Sequence, residues 1–191
     1  LLLPPKSKEK TNACLTNKQS GLVHPIAIAE DEAFHFRYQE TKELLEKNGM
    51  PTISWKPLEN QKIPSEAKGL IIPGGFPEQH AKQLSNSKTS LESIKLFANR
   101  FPIYAECGGM MLLGKSIFDI EGKEYSMTGI LPFKAKKGDL KIGYREVISK
   151  NKSPITDIRN KLIGHEFHRW EIINEEYNSK INPIWDIKGW N

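Results

Sequence analysis

The segment 101–118 places one cysteine and two glycines between a strand-like stretch and a helix-like stretch. Residues 101–105 are short, mostly apolar and carry a proline at their start, which is typical of a buried strand. Residues 110–118 predict a helix. Cys107, followed at once by Gly108 and Gly109, therefore lies in a sharp strand-to-helix turn, where residues without a β-carbon relieve crowding. Such a turn lifts the cysteine to the carboxyl edge of the sheet.

Cys107 is the candidate nucleophile of this turn. A helix N-terminus aimed at the sulfur favours the thiolate, which is the reactive form of cysteine. The alternative is a cysteine that serves only as a small buried apolar residue, which is common. The flanking strand, the glycine pair and a second glycine loop at 73–78 favour the nucleophile.

Composition describes an ordinary globular chain and excludes several classes. The 191 residues are 38% hydrophobic and 27% charged, which suits one domain with a substantial core. No apolar run approaches the ~20 residues that span a bilayer, and the start does not read as a signal peptide. Cys14 and Cys107 are too few for a disulfide framework and are not spaced as a zinc site, so we expect a cytoplasmic protein. The net charge of +5 is spread without a basic, aromatic stripe, which argues against nucleic acid.

The order of elements predicts a doubly wound, flavodoxin-like, mostly parallel sheet with a β-rich C-terminal extension. Residues 1–24 have a linker composition, and 25–191 form the domain. The predicted strands are 25–29, 52–55, 69–72 and 101–105. The predicted helices are 37–48, 91–99 and 110–118. The predicted β-rich segments are 125–131, 140–149 and 161–173.

A second glycine loop follows the predicted strand 69–72. Gly74 and Gly75 free the backbone to point amides into a cavity, as an oxyanion hole requires. A tight turn without function is the alternative. Because strands of one parallel sheet end at the same edge, this loop and Cys107 are expected to meet there.

Residues 109–116 match a phosphate-loop pattern of glycine, four residues and Gly-Lys-Ser. The four intervening residues are Met-Met-Leu-Leu, which favour burial in a helix over a loop around a solvated anion. We therefore expect no nucleotide site here.

Two strand-like pieces at 142–146 and 163–168 carry unusual polar residues. His165 and His168 are three positions apart, so on a strand they face opposite sides and do not chelate one metal together. A histidine partner for Cys107 would be oriented by a carboxylate or carbonyl. Either histidine fits that description, and a structural role fits both equally well. No metal site is predicted.

Five motifs follow the order seen in one family. They are Ala-Glu-Asp-Glu-Ala-Phe at 29–34, Pro-Gly-Gly-Phe-Pro-Glu at 73–78, Tyr-Ala-Glu-Cys-Gly-Gly at 104–109, Gly-Tyr-Arg-Glu at 143–146 and Gly-His-Glu-Phe-His at 164–168. From about residue 26 onward, the chain resembles the glutaminase domain of the cobyrinic acid a,c-diamide synthase family. That domain is a class I-like glutamine amidotransferase.

The resemblance implies a reaction. Cys107 would attack the side-chain amide of glutamine, the amides of Gly75 and Gly108 would hold the oxyanion, and Glu106, His165 and His168 are candidates to line the site. Ammonia would pass to a synthetase domain that uses ATP and Mg²⁺ to activate cobyrinic acid, and no cofactor is expected in this part of the chain. The acidic loop 30–32 and the strand 143–146 would face that domain or the corrinoid.

The chain departs from the family in two places. The synthetase domain expected before the linker is absent from the sequence, and so is the Leu-His-Leu-His motif that carries the family's catalytic histidine, so the domain is expected to be truncated. Open alternatives are the glutaminase of cobyric acid synthase or of a cell-wall amidotransferase, a different cysteine hydrolase, and an inactive docking module. A cobalt-free substrate and a homodimer also remain open.

Overall fold

The computed structural model describes residues 23–153, 156–173 and 184–189. Cys14 and nearly all of the predicted linker 1–24 lie outside these residues, so the linker stays a prediction. Val23 and His24, the first two described residues, are both exposed.

The N-terminal part is a parallel sheet with helical connections. In chain order its elements are β1 (Ile26–Ala29), α1 (Gln39–Lys47), β2 (Thr52–Trp55), β3 (Gly69–Ile72), α2 (Ala81–Asn86), α3 (Lys88–Ala98), β4 (Ile103–Ala105) and α4 (Gly108–Leu113). Short 3-10 turns lie at Pro57–Glu59 and Pro77–His80. The strand order is β2-β1-β3-β4, and every pairing is parallel. This order confirms the predicted flavodoxin-like arrangement.

One face of this sheet forms the core. Paired positions on β1 and β3 are almost completely buried there, since neighbouring strands align side chains of the same face. The helices that follow β3 cover this face with apolar side chains. The cluster includes Ala27, Ala29, Leu70, Ile72, Leu84, Leu91, Ile94 and Phe97. The core thus fixes the strand ends from which the site is built.

Helix α1 is shorter than the predicted 37–48 at both ends. Gly49 terminates it as expected, with φ of +75° and its amide bonded to the Glu46 carbonyl at 3.0 Å. None of its nine residues is buried. Within the part of the chain that the structure describes, no helix has the length and apolar character needed to cross a membrane.

The prediction of a helix over 110–118 is wrong in its second half. Helix α4 ends at Leu113, and Ser116–Phe118 forms a strand, β5. Gly114 is extended, with ψ of 177°, and a β-carbon on it would lie 2.7 Å from the Phe133 ring. The chain turns there, and Ile117 is completely buried within a second sheet. Apolar content alone did not distinguish a continuing helix from a short buried strand.

The C-terminal part is β-rich, as predicted. After β5 it contains β6 (Glu124–Ser126), β7 (Lys134–Ser149), β8 (Lys161–Ile173) and β9 (Trp185–Gly189). Strand β7 pairs antiparallel with β8 and with β9, and parallel with β5. An irregularity between Lys137 and Lys141 interrupts the β7–β8 register. The long β7–β8 ribbon carries both polar motifs of the sequence. Helix α2 and strand β9 were not predicted.

Candidate active site

Cys107 occupies a strained turn between β4 and α4. Its φ of 50° and ψ of −119° lie in a region that non-glycine residues rarely adopt. The turn is held by the Glu106 amide on the Ile72 carbonyl at 3.2 Å and by the Met110 amide on the Cys107 carbonyl at 3.1 Å. Cys107 is exposed. A strained, exposed cysteine at the carboxyl edge of a sheet has the backbone geometry of a nucleophile elbow.

The glycines beside Cys107 allow two loops to touch. A β-carbon on Gly108 would lie 2.7 Å from Pro77 Cδ and 2.8 Å from the Gly75 carbonyl oxygen. A β-carbon on Gly74 would lie 3.5 Å from the β-carbon of Cys107. The loop after β3 and the turn after β4 are therefore in direct backbone contact at the carboxyl edge.

The amides of Gly75 and Gly108 lie in the two loops that meet at Cys107. Among the hydrogen bonds of the described residues, neither amide donates to another protein group. Gly75 itself cannot carry a side chain, because a β-carbon there would overlap the Ala33 carbonyl. Two unused amides beside a cysteine are the donors that an oxyanion would need.

Cys107 opens into a cavity of about 630 Å³ between α4 and the β7–β8 ribbon. Strand register places Arg145 and Gly164 opposite each other, and Gly143 opposite Glu166, so these positions share one face of the ribbon. His168 lies two residues beyond Glu166 on the same face. The lining includes Cys107, Met110, Arg145, Glu166, His168 and Trp170.

A hydrogen-bonded network crosses this wall of the cavity. Arg145 Nε donates to Glu166 Oε2, and Glu166 Oε1 lies 2.7 Å from His168 Nε2. His168 Nδ1 lies 2.7 Å from the Trp170 carbonyl oxygen. The hydrogen bond from His168, with further help from Arg145, lowers the pKa of Glu166 below its ordinary value, against the opposing effect of burial. Glu166 is thus a carboxylate at neutral pH.

The two predicted histidines have different surroundings. Both residues contribute to the cavity lining, but the ring of His165 packs edge-on against Tyr144 at 5.5 Å, on the opposite face of the ribbon from His168. Both ring nitrogens of His168 are occupied by Glu166 and Trp170. Among the described residues, we find no histidine hydrogen-bonded to Cys107.

Glu106 lies in a separate place from these histidines. Its carboxylate accepts a hydrogen bond from the Tyr104 hydroxyl at 3.4 Å. Burial, reinforced by the Glu106 charge, raises the pKa of Tyr104. Glu106 lines a small neighbouring cavity with Phe36, Arg37 and Pro73, whereas Cys107 lines the large one.

Two members of the acidic loop 30–32 have local partners. Glu30 forms an ion pair with Lys42 at 2.5 Å. Asp31 accepts hydrogen bonds from the Leu58 amide at 2.8 Å and the Ala33 amide at 3.0 Å, which tie the loop to the adjacent 3-10 turn. These contacts give both carboxylates a structural role.

The phosphate-loop-like segment forms α4 and the start of β5. Met111, Leu112 and Leu113 are buried, and a β-carbon on Gly109 would overlap the Ile72 carbonyl. These residues do not form a loop around a phosphate. Among the residues that the structure describes, no group of three histidine, cysteine or carboxylate side chains is placed to hold a metal ion.

Arg145 and Glu78 belong to two of the five motifs, but the sequence predicted no individual role for either side chain at the Cys107 site. The polar Gly-Tyr-Arg-Glu piece within a strand was the available signal for Arg145. Glu78 belongs to the Pro77–His80 turn, which packs on α4, and its pKa is raised by burial. Nothing in the sequence distinguished its side chain from an exposed one.

Residues 25–186 match the model of the CobB/CobQ-like glutamine amidotransferase domain. The chain belongs to this family. The resemblance drawn from the five motifs is confirmed.

Cobyrinate a,c-diamide synthase from Synechococcus is 40% identical to this CobB/CobQ-like chain over 147 residues, covering 76% of the chain and 32% of the relative. Cobyrinate a,c-diamide synthase from Caldanaerobacter subterraneus is 40% identical over 168 residues, covering 86% of this chain and 36% of the relative. The chain thus spans about a third of the length of these curated relatives.

Solved structures share the fold of this CobB/CobQ-like domain. The PurLQS structure from Thermotoga maritima superposes with a TM-score of 0.60 at 14% identity, covering 87% of this chain and 75% of the other. The structure of a glutamine amidotransferase from the same organism superposes with a TM-score of 0.57 at 14% identity, covering 85% of this chain and 66% of the other. At this identity the likeness establishes the class I amidotransferase fold.

Proposed function

We propose that this domain hydrolyses glutamine through a thioester on Cys107 and supplies ammonia for amidation of the a and c carboxylates of cobyrinic acid. The observation that carries the proposal is the strained Cys107 turn beside the unused amides of Gly75 and Gly108. The names of the curated relatives support the choice of cobyrinic acid.

The chemistry balances as an acyl transfer. The Cys107 thiolate attacks the side-chain amide carbon of glutamine, and the carbonyl oxygen becomes an oxyanion that the Gly75 and Gly108 amides stabilise. The C–N bond breaks, the amide nitrogen takes up a proton, and ammonia leaves. Water then cleaves the thioester, releasing glutamate and restoring the thiol.

Arg145 supplies a cation to the cavity that Cys107 lines. Guanidinium groups bind carboxylates through paired N–H donors, and free glutamine carries one carboxylate, on its α-carbon. We assign Arg145 to that carboxylate. Both ring nitrogens of His168 contact other groups, and among the described residues neither His168 nor His165 is hydrogen-bonded to Cys107, so we assign proton transfer to neither.

In the proposal, amidation of the cobyrinic acid carboxylates takes place outside this domain. The described residues form no phosphate loop, and the proposal gives them no role in binding ATP or Mg²⁺. In the proposal, a synthetase region uses ATP and Mg²⁺ to activate the acceptor carboxylate, which ammonia from this site then attacks.

The decisive test is covalent labelling with the diazo-oxo-norleucine analogue of glutamine, followed by peptide mass mapping. The thiolate attacks the diazo carbon, which gains a proton and loses N₂ as the C–S bond forms. We expect one adduct on Cys107, suppressed by free glutamine and absent in Cys107→Ser. This readout does not require a complete catalytic cycle.

Two results would contradict the proposal. One is a Cys107 that reacts with iodoacetamide but not with the glutamine analogue. The other is labelling that glutamine does not suppress, which would favour a different cysteine hydrolase. For the acceptor, the full-length protein with ATP, Mg²⁺ and glutamine is expected to convert cobyrinic acid to its diamide, as measured by mass spectrometry.

A further inference from the structure

We propose that Glu166 and His168 are positioning residues that fix the Arg145 guanidinium so that its free edge binds the glutamine α-carboxylate. This inference rests on the proposed function, because it specifies how the glutamine pocket is built. It gives Glu166 and His168 of the Gly-His-Glu-Phe-His motif a role in binding glutamine, in place of a histidine partner for Cys107.

The guanidinium of Arg145 is held on two of its sides. Nε donates to Glu166, and Nη1 donates to the Tyr144 carbonyl at 3.0 Å. Nη2 has no protein partner within the described residues. The side chain is 23% exposed, so it is largely covered and yet reachable from the cavity. An arginine anchored in this way keeps donors for one further anion.

Two glycines leave room for this side chain to lie flat on the ribbon. A β-carbon on Gly143 would lie 3.1 Å from Arg145 Nη1, and one on Gly189 would lie 3.5 Å from the same atom. Gly143 has φ of +145°, a conformation that glycine adopts and other residues rarely do. Strands β7 and β9 thus form a shallow cradle beneath the guanidinium.

His168 prevents Glu166 from rotating away. The carboxylate is shared, with one oxygen on Arg145 and the other 2.7 Å from His168 Nε2. The His168 ring is itself fixed at Nδ1 by the Trp170 carbonyl, and Trp170 Nε1 donates to the Phe118 carbonyl at 3.2 Å. The chain of contacts therefore runs from the β5 backbone to the guanidinium. Preorganised donors bind an anion with less loss of side-chain freedom than mobile ones.

The test compares two diazoketones on the full chain: the glutamine analogue and a matched compound that lacks the α-carboxylate. For each, labelling of Cys107 gives an apparent binding constant and a maximal rate. We expect Glu166→Gln to weaken binding of the carboxylate-bearing compound roughly tenfold, because the anchored charge loses a charge-assisted hydrogen bond. The maximal rate and the labelling by the matched compound are expected to remain unchanged.

Glu146→Gln is the matched control. Glu146 adjoins Arg145 on β7 but points to the opposite face, where it pairs with Lys161 at 2.5 Å. Its loss is expected to leave labelling by both compounds unchanged. His168→Gln, which keeps an amide donor for Glu166, is expected to bind the glutamine analogue more tightly than His168→Ala. Thermal melts and iodoacetamide reactivity report whether each variant folds.

The outcomes separate the two levels of the argument. If wild-type Cys107 is labelled and protected by glutamine but Glu166→Gln behaves like wild type, the positioning role is wrong while the proposed function stands. Equal loss of labelling by both compounds in a folded Glu166→Gln variant would also overturn it, since the effect would not concern the carboxylate. If the wild type shows no glutamine-suppressed labelling, the proposed function and this inference fail together.

Discussion

Gly109 in α4 packs directly on the carbonyl group of Ile72, the last residue of β3. A β-carbon on Gly109 would overlap the Ile72 oxygen and lie 2.7 Å from the Pro73 oxygen. The Glu106 amide bonds to the same Ile72 carbonyl at 3.2 Å. The end of β3 therefore sets the position of the Cys107 turn, which follows the neighbouring strand β4.

Gly109→Ala is expected to separate α4 from β3 and to lower the free energy of unfolding by about 1–3 kcal/mol, as overpacking does. Urea unfolding measures this loss. Gly164→Ala is the control, because no atom lies within 4 Å of the added carbon and φ is not positive. Its effect is expected to stay within about 0.5 kcal/mol. Equal losses in both variants would mean that the contact with Ile72 is not the cause.

Cys107→Gly is expected to abolish labelling by the glutamine analogue and to stabilise the fold. Backbone strain of this kind costs about 1–3 kcal/mol, whereas added glycine flexibility costs about 0.4–1 kcal/mol. A net gain of about 1 kcal/mol over Cys107→Ala follows, since alanine loses the sulfur but keeps the strain. The difference in unfolding free energy between the glycine and alanine variants, measured by chemical denaturation, reports the backbone strain at position 107. A glycine variant less stable than the alanine variant would argue against strain at this position.

The strand ends of the first sheet were predictable because each carries a local signal. Strands 52–55 and 69–72 are bounded by proline, glycine and charged residues, and both occur as predicted. The six-residue α2 has only two buried residues, Ala81 and Leu84, so its apolar pattern is too short to detect. The end of α4 depends on contact between Gly114 and Phe133, which lie far apart in sequence.

The Cys107 side of the candidate site could be predicted from the sequence, whereas the network on the β7–β8 ribbon could not. The Cys107 turn and the glycine loop follow strands directly, so their meeting at one edge follows from parallel topology. The Arg145–Glu166–His168 network depends on β7–β8 register, in which Gly143 lies opposite Glu166. The residues alone do not determine the register of an irregular ribbon, and for that reason the sequence left the partners of His168 open.

Asp31→Ala is expected to destabilise the fold by about 1–3 kcal/mol, because it leaves the Leu58 and Ala33 amides without their carboxylate acceptor. Asp31→Asn, which keeps one side-chain oxygen, is expected to lose less. Urea unfolding of both variants provides the comparison. If asparagine and alanine cost the same, the two amide contacts do not account for the stability.

Glu78→Gln is expected to raise stability near neutral pH and to have no such effect in acid. Glu78 is 7% exposed, and burial raises its pKa above the ordinary value of 4.5. The folded state therefore holds the proton more tightly than the unfolded chain. Its contribution is fully present below the ordinary pKa and is lost as pH rises through the folded pKa. Glutamine stays neutral, so its advantage over glutamate appears only at a pH above the folded pKa of Glu78.

Urea unfolding near neutral pH and in acid tests this prediction, with Glu43→Gln as the control, because Glu43 is exposed. A stability difference between wild type and Glu78→Gln that does not change with pH would show that ionisation of this carboxyl is not what costs stability.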